Sequence, residues 1–154
     1  MIIRKATVRD LEDIQRLNLR LFEKEHREFD STLDYKGTFG KESTGYLRKR
    51  IEKNGLVLVA EDNKKIVGYL VGDRAETKSY RKTGSICELE NMMILEQYRN
   101  MKIGTKLVEE FLGWAKEKRF ERIKVTASAQ NKEGINFYRK LGFTDYNITL
   151  EKKL

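Results

Sequence analysis

Ser85 to Ala115 reads SICELENMMILEQYRNMKIGTKLVEEFLGWA, and the order of events along it decides the fold. Ser85 to Leu95 has the composition of a strand. Glu96 to Ile103 is a polar, basic turn. A long amphipathic helix starts near Gly104, with Leu107, Val108, Phe111, Leu112 and Ala115 on one face. A turn that feeds a helix N-terminus presents several backbone N–H groups without partners. Such groups and the helix dipole attract phosphate oxygens. Arg99, Lys102 and Lys106 add positive charge beside them. On these grounds the segment is either an anion-binding turn or an ordinary basic loop entering a helix.

Downstream, Arg122 to Ala127 (RIKVTA) reads as a strand. Glu133 to Leu141 reads as a helix with Gly142 as a left-handed C-cap, and Phe143 to Leu150 as a last strand. Upstream, Ile2 to Ala6 reads as a first strand. Thr7 and Asp10 have the spacing of a capping box, and Leu11, Ile14, Leu17, Leu21 and Phe22 follow at helical spacing to about His26. Phe29 to Thr44 is polar and reads as a loop. Tyr46, Leu47 and Ile51 mark a second helix that stops at Asn54-Gly55. Leu56 to Ala60 and Ile66 to Val71 flank a turn and predict an antiparallel hairpin, followed by a basic loop from Asp73 to Gly84. Hairpins come first. A strand–helix–strand unit comes later, and it must cross over to a parallel neighbour. The expectation is one α/β domain over residues 1–154, with a mixed, mostly antiparallel sheet and helices on both faces.

The 154 residues can bury a core without staples, and 39% hydrophobic content is too apolar for a disordered chain. No apolar run approaches the ~20 residues needed to span a bilayer. Charges begin at Arg4, and the single Cys87 cannot form an internal disulfide. A cytoplasmic protein is expected, with no membrane partner. The net charge of +8 suggests an anionic ligand. The 32 basic residues are interleaved with 24 acidic ones and lack a patch mixed with exposed aromatics, which argues against a nucleic-acid partner.

The turn resembles the phosphate cradle of the GNAT superfamily of N-acetyltransferases, which has the form Arg/Gln-x-x-Gly-x-Gly/Ala between strand and helix. Arg99 matches its first position and Gly104 its last, while Lys102 stands where the first glycine is expected. A second stretch, Asn131 to Phe143, resembles the family's Asn-x(6)-Tyr-x-x-x-Gly-Phe segment through Asn131, Tyr138, Gly142 and Phe143. Ile3 to Thr7 with Asp10, and the hairpin from Val59 to Tyr69, resemble its opening elements. The likeness therefore covers nearly the whole chain in the family's order.

This resemblance implies acetyl-coenzyme A (acetyl-CoA) as acyl donor. The cofactor would lie on the Met92 and Ile94 strand edge, on the cradle Arg99, Asn100, Met101, Lys102, Ile103, Gly104 and Thr105, and on Asn131 and Tyr138. It further implies direct transfer to a primary amine in a ternary complex. The acceptor would be a small amine or polyamine, a lysine or a protein N-terminus, and there is room for a homodimer.

Glu90 matches the base of polyamine-acetylating members, nine residues before Arg99. An amine with a pKa near 10 must lose a proton before it attacks, and a carboxylate can take it. Pairing with a nearby Lys or Arg is the competing reading. Glu88 lies on the same face unless a bulge intervenes, and competes for the base role. Tyr138 is expected to protonate or hold the departing thiolate. Glu25, Asp30 and Glu88 are expected on the acceptor side. His26, in the charged run Glu23 to Glu28, reads as a solvated residue, and Cys87 as a buried structural thiol. No metal-ligand spacing is present. The rival reading from another class is a non-catalytic acyl-CoA-binding module, because Lys102 departs from the motif.

Overall fold

The computed structural model describes residues 1–154. Its strands are β1 (Ile2–Lys5), β2 (Leu56–Asp62), β3 (Lys65–Arg74), β4 (Ile86–Ile94) and β5 (Arg122–Val125). Its helices are α1 (Leu11–Glu28), α2 (Lys41–Glu52), α3 (Ile103–Glu117) and α4 (Lys132–Lys140). The strands form one sheet in the order β1-β2-β3-β4-β5. The first three pairings are antiparallel, and β4 with β5 is parallel, as the crossover through α3 requires. The mixed, mostly antiparallel sheet expected from the sequence is therefore the observed one.

Both faces are covered. Leu58, Leu70, Leu89, Leu107 and Phe111 pack between the sheet and α3, and Phe137 and Tyr138 of α4 join this layer. Ile14, Leu17, Leu47, Val59, Tyr69 and Met93 pack between the other face and α1 and α2. Alternation along β2 sends Leu58 and Ala60 to the α3 face, and Val57 and Val59 to the α1 face. No helix is long and apolar enough to cross a membrane.

One expected element is absent. Phe143 to Leu150 forms no strand, and Tyr146, Ile148 and Leu150 are exposed. The period-2 pattern is real, but a strand exists only with a ladder partner, and these residues have none. Gly142 does take the left-handed conformation, with φ of 89°. Several boundaries also shift. The first helix runs on to Glu28, the second begins at Lys41, and β3 extends to Arg74.

Asp10 ties β1 to the start of α1. It accepts the Arg4 guanidinium through both oxygens at 2.8 Å and the Thr7 N–H at 2.7 Å. The Arg4 bond is the main cause that holds this carboxyl down at about 2, against an ordinary 3.8. A depressed carboxyl stabilises the fold above its unfolded pKa and loses that contribution as pH falls through the folded one. Melting temperature should therefore be insensitive to this group from neutral pH down to about 5, and should fall between about 4 and 2. The loss should be about 1 to 2 kcal/mol, allowing for the solvent around Arg4. Thermal melts of wild type and Asp10→Asn check this. The variant should lack that part of the acid slope.

Candidate functional site

A β-bulge shapes the middle of β4. Val71 pairs with Asn91 and Gly72 pairs with Leu89, so Glu90 is the extra residue. Gly72 is required opposite it, because a Cβ there would lie 2.3 Å from the Phe111 ring. The bulge turns both Glu90 and Asn91 toward α1 and α2, where Asn18 meets Asn91 at 3.4 Å and Tyr46 meets Glu90 at 2.6 Å. Beyond Leu89 and Val125 the β4–β5 ladder stops. Residues 90–94 of β4 therefore have no strand on that side, and the two strands part in the sheet.

α3 begins at the far end of this gap. The backbone N–H groups of residues 100–105 donate to no acceptor within the protein. Lys102 caps the helix in the left-handed conformation, at φ 60° and ψ 14°, and Asn100 is also left-handed, at φ 62°. The first motif glycine thus corresponds to a position that needs positive φ, and here a lysine accepts the strain. Arg99 is anchored by its Nε donating to the Ile94 carbonyl at 3.3 Å. Arg99, Lys102 and Lys106 have no carboxylate partner. Six free donors, a helix N-terminus and three unpaired cations suit a polyanion.

Gly104 serves packing as well. Its absent Cβ would meet Ile94 at 3.1 Å and Phe137 at 3.2 Å, so it lets α3 seat against β4 and α4.

Lys102 therefore supplies a clean test of the cradle. In Lys102→Gly the left-handed strain is relieved, and melting should rise by about 2–4 °C. Coenzyme A affinity should fall by no more than a few-fold, because the backbone donors and two of the three cations remain. Lys102→Asp keeps a residue type that tolerates positive φ but places a negative charge at the cradle. Coenzyme A affinity, measured by calorimetry, should fall roughly tenfold.

Asn131 caps α4, and its Oδ1 accepts the Gly134 N–H at 2.9 Å. That oxygen is committed to the fold, while the amide nitrogen has no protein partner. Tyr138 is wedged between Phe137 and Phe143, with ring centroids 5.2 and 5.6 Å away. Burial pushes its phenol up to about 12, and the negative charge of Glu25 adds to the shift.

Glu90 does not stand free. Its Oε1 takes Arg50 Nη2 at 2.7 Å, and its Oε2 takes the Tyr46 hydroxyl at 2.6 Å and Arg50 Nε at 3.0 Å. Arg50 also bridges to Asp73 at 2.6 Å. Both Glu90 oxygens are therefore engaged in charge-assisted or hydroxyl hydrogen bonds. The structure thus places Glu90 in an ion-pair triad, which is the competing reading of this residue. Glu88 binds Lys124 at 3.0 Å. Glu88, Glu90 and Asp73 line an open groove of about 1150 Å³ under the end of α2. Asp30 turns back on its own Thr32, accepting the N–H at 2.9 Å. Glu25, Asp30 and Glu88 therefore do not form one acidic patch.

His26 is not simply solvated. Its Nδ1 lies 2.8 Å from the Leu33 carbonyl, and its ring meets Tyr35 edge-on at 5.2 Å, so it holds the loop after α1. Cys87 is buried, and burial pushes its thiol up to about 11, which fits a structural role.

Sequence reasoning missed the Tyr46, Arg50, Asp73 and Asn91 cluster. One signal was available: adjacent Glu90 and Asn91 interrupt the alternation of β4, as a bulge does.

Residues 11–143 match the model of the acetyltransferase (GNAT) family. An uncharacterized N-acetyltransferase of Methanocaldococcus jannaschii, MJ1207, is 28% identical over 146 residues. The match covers 95% of this chain and 62% of that protein, so this chain spans less than two thirds of its relative. Among solved structures, the BH1408 protein of Bacillus halodurans, as a tetramutant, superposes with a TM-score of 0.87 at 22% identity, over all of both chains. The aminoglycoside N-acetyltransferase AAC(6')-Iy in complex with CoA superposes with a TM-score of 0.74 at 14% identity, over 99% of each.

Proposed function

The chain belongs to the acetyltransferase (GNAT) family, and on that premise we propose that it transfers acetyl from acetyl-CoA to a primary amine of a small molecule. The observation that carries this reading is the pairing of two features. One is a run of six partnerless backbone N–H groups at the start of α3. The other is a β4 edge left free by the parting of β4 and β5. The first suits a pyrophosphate. The second offers peptide groups to an extended, amide-bearing arm in the manner of an added strand. Acetyl-CoA contains both parts in sequence, and when bound it supplies an activated thioester.

The protein's own residues then have separable tasks. The backbone of Asn100 to Thr105, with Arg99 and Lys102, holds the phosphates. Met92 and Ile94 flank the arm, and the Asn131 amide nitrogen is free to reach it. Tyr138 offers its hydroxyl to the sulfur. Its raised pKa keeps the phenol protonated at neutral pH. Because a thiol ionises near 8.5, the phenol acts by hydrogen bonding rather than by full proton donation. Glu90 keeps the acceptor-side wall in shape through Arg50 and Tyr46. Direct transfer needs no acyl-enzyme, and the high thiol pKa of Cys87 agrees with that.

A small-molecule acceptor is also what the aminoglycoside enzyme of the same fold takes. The test is coenzyme A release from acetyl-CoA against spermidine, the aminoglycoside sisomicin and a lysine-bearing peptide. The proposal expects one of the small amines to turn over fastest. Preference for the peptide by tenfold or more would move the reading to a protein acceptor.

A further inference from the structure

We infer that the stretch from Asp145 to Glu151 is a sixth strand whose ladder partner is a second copy of this chain: it adds to the outer edge of that copy's β5. The inference is independent of the acetyl-transfer reading.

The first observation is a pair of unmet needs in one chain. β5 ends the sheet and is bonded on one side only, to β4. Its other edge offers backbone groups with no strand to take them, which is a template for pairing. The stretch after α4 has the converse lack. Tyr146, Ile148 and Leu150 alternate with polar residues as in a half-buried strand, yet they are 67%, 84% and 89% exposed. No backbone hydrogen bond joins any of residues 144–154 to another backbone group. A row of large apolar side chains left in water marks an interaction surface.

The second observation is complementarity, and it says what covers that row. The two faces of β5 differ. Ile123 and Val125 pack against the core layer of α3, whereas Arg122 and Lys124 are exposed and basic. The tail is divided in the same way with the opposite charge. Tyr146, Ile148 and Leu150 are its apolar face, and Asp145, Asn147, Thr149 and Glu151 are its polar, acidic one. With the apolar face on the side of Ile123 and Val125, the tail extends the core layer. The same placement sets Asp145 and Glu151 on the side of Arg122 and Lys124, where opposite charges pair across strands. A slip of one residue reverses both matches. Hydrophobic pattern and charge therefore select the same alignment.

The third observation concerns which copy is paired. Within one chain the start of the tail is turned to other partners. Asp145 accepts Arg139 Nε of α4 at 2.9 Å, and the Tyr146 ring lies 4.2 Å from the Arg81 guanidinium, in the loop after β3. The Arg139 and Asp145 side chains are both more than half exposed, and an exposed ion pair is weak enough to give way to a ladder. Every copy carries both the tail and the open edge. Two copies therefore satisfy each other reciprocally about a twofold axis, by strand addition, and the association closes at a dimer.

The experiment uses residues 1–154 at tens of micromolar, with mass read by light scattering after size exclusion. The expected mass is twice the 18.2 kDa of one chain. Ile148→Asp places a charge in the middle of the apolar face. It should raise the dimer dissociation constant roughly 100-fold or more, since the change enters the interface twice. Ile148 is exposed in the single chain, so the variant should still give a folded circular-dichroism spectrum. Leu150→Asp is the second variant, should Ile148→Asp fail to fold. An amine-reactive cross-linker applied to a mixture of normal and heavy-nitrogen chains identifies the edge. Lys152 or Lys153 should join Lys124, and the linked peptides should pair light with heavy. A monomeric wild type, a dimer that persists in both folded variants, or Lys124 links found only within one isotope each overturns the inference. The last result would mean that the tail pairs with its own β5.

Discussion

Arg50→Met is expected to lower the stability of the fold by about 3 kcal/mol, the largest effect of any single change on the acceptor side. The Arg50 guanidinium lies between Glu90 and Asp73, and all three side chains are less than a fifth exposed. Removing the cation leaves two half-buried carboxylates facing each other, each without its charge partner. Glu90 would keep only the Tyr46 hydroxyl. In a domain of this size the loss corresponds to a melting temperature lower by roughly 6–12 °C. Arg50→Lys should recover only part of it, since one ammonium cannot reproduce a fork that binds both Glu90 oxygens and Asp73. A melt of Arg50→Met within about 2 °C of wild type would show that the triad contributes no net stability.

The second large effect concerns rate. Tyr138→Phe removes one hydroxyl from a closely packed position between Phe137 and Phe143, so the fold should tolerate it. On the proposed role of this hydroxyl as a donor to the departing sulfur, kcat should fall by about 100-fold while KM for acetyl-CoA changes little. The pH profile supplies the check. With the phenol at about 12, wild-type turnover should show no downturn assignable to this group below about pH 11. A downturn near pH 10 that vanishes in Tyr138→Phe would place the phenol at its ordinary pKa and contradict the buried arrangement.

Much of the fold was legible because its signals are local. The Leu56 to Val71 hairpin, the strand–turn–helix at Ser85 to Ala115 and the Gly142 cap each depend on residues close in sequence. The last strand was misread for a physical reason. Tyr146, Ile148 and Leu150 alternate as a strand would, but alternation does not supply a neighbour to bond with. The cradle was legible as a turn into a helix. Only the backbone showed that Lys102 takes a glycine's conformation rather than avoiding it.

The catalytic side was less legible because its decisive contacts are long-range. Glu90 is close in sequence to the cradle, yet its state is set by Arg50 and Tyr46 on α2, 40 and 44 residues away. Asn91 meets Asn18 of α1, 73 residues away, and nothing in either local sequence announces the other. The free edge of β4 follows from the parting of β4 and β5 after Leu89 and Val125, a property of ladder length. His26 shows the same limit. Its run of charges suggests solvent, but the loop folds back to offer it the Leu33 carbonyl.

The most direct measurement is the mass of both partners after the protein is incubated with acetyl-CoA and spermidine or sisomicin. The account predicts an amine heavier by one acetyl group, coenzyme A released in equal amount, and a protein of unchanged mass. Acetyl-CoA bound at the cradle with no acetylated amine would contradict it in favour of a non-catalytic acyl-CoA-binding module. An acetylated protein before the amine is added would contradict direct transfer.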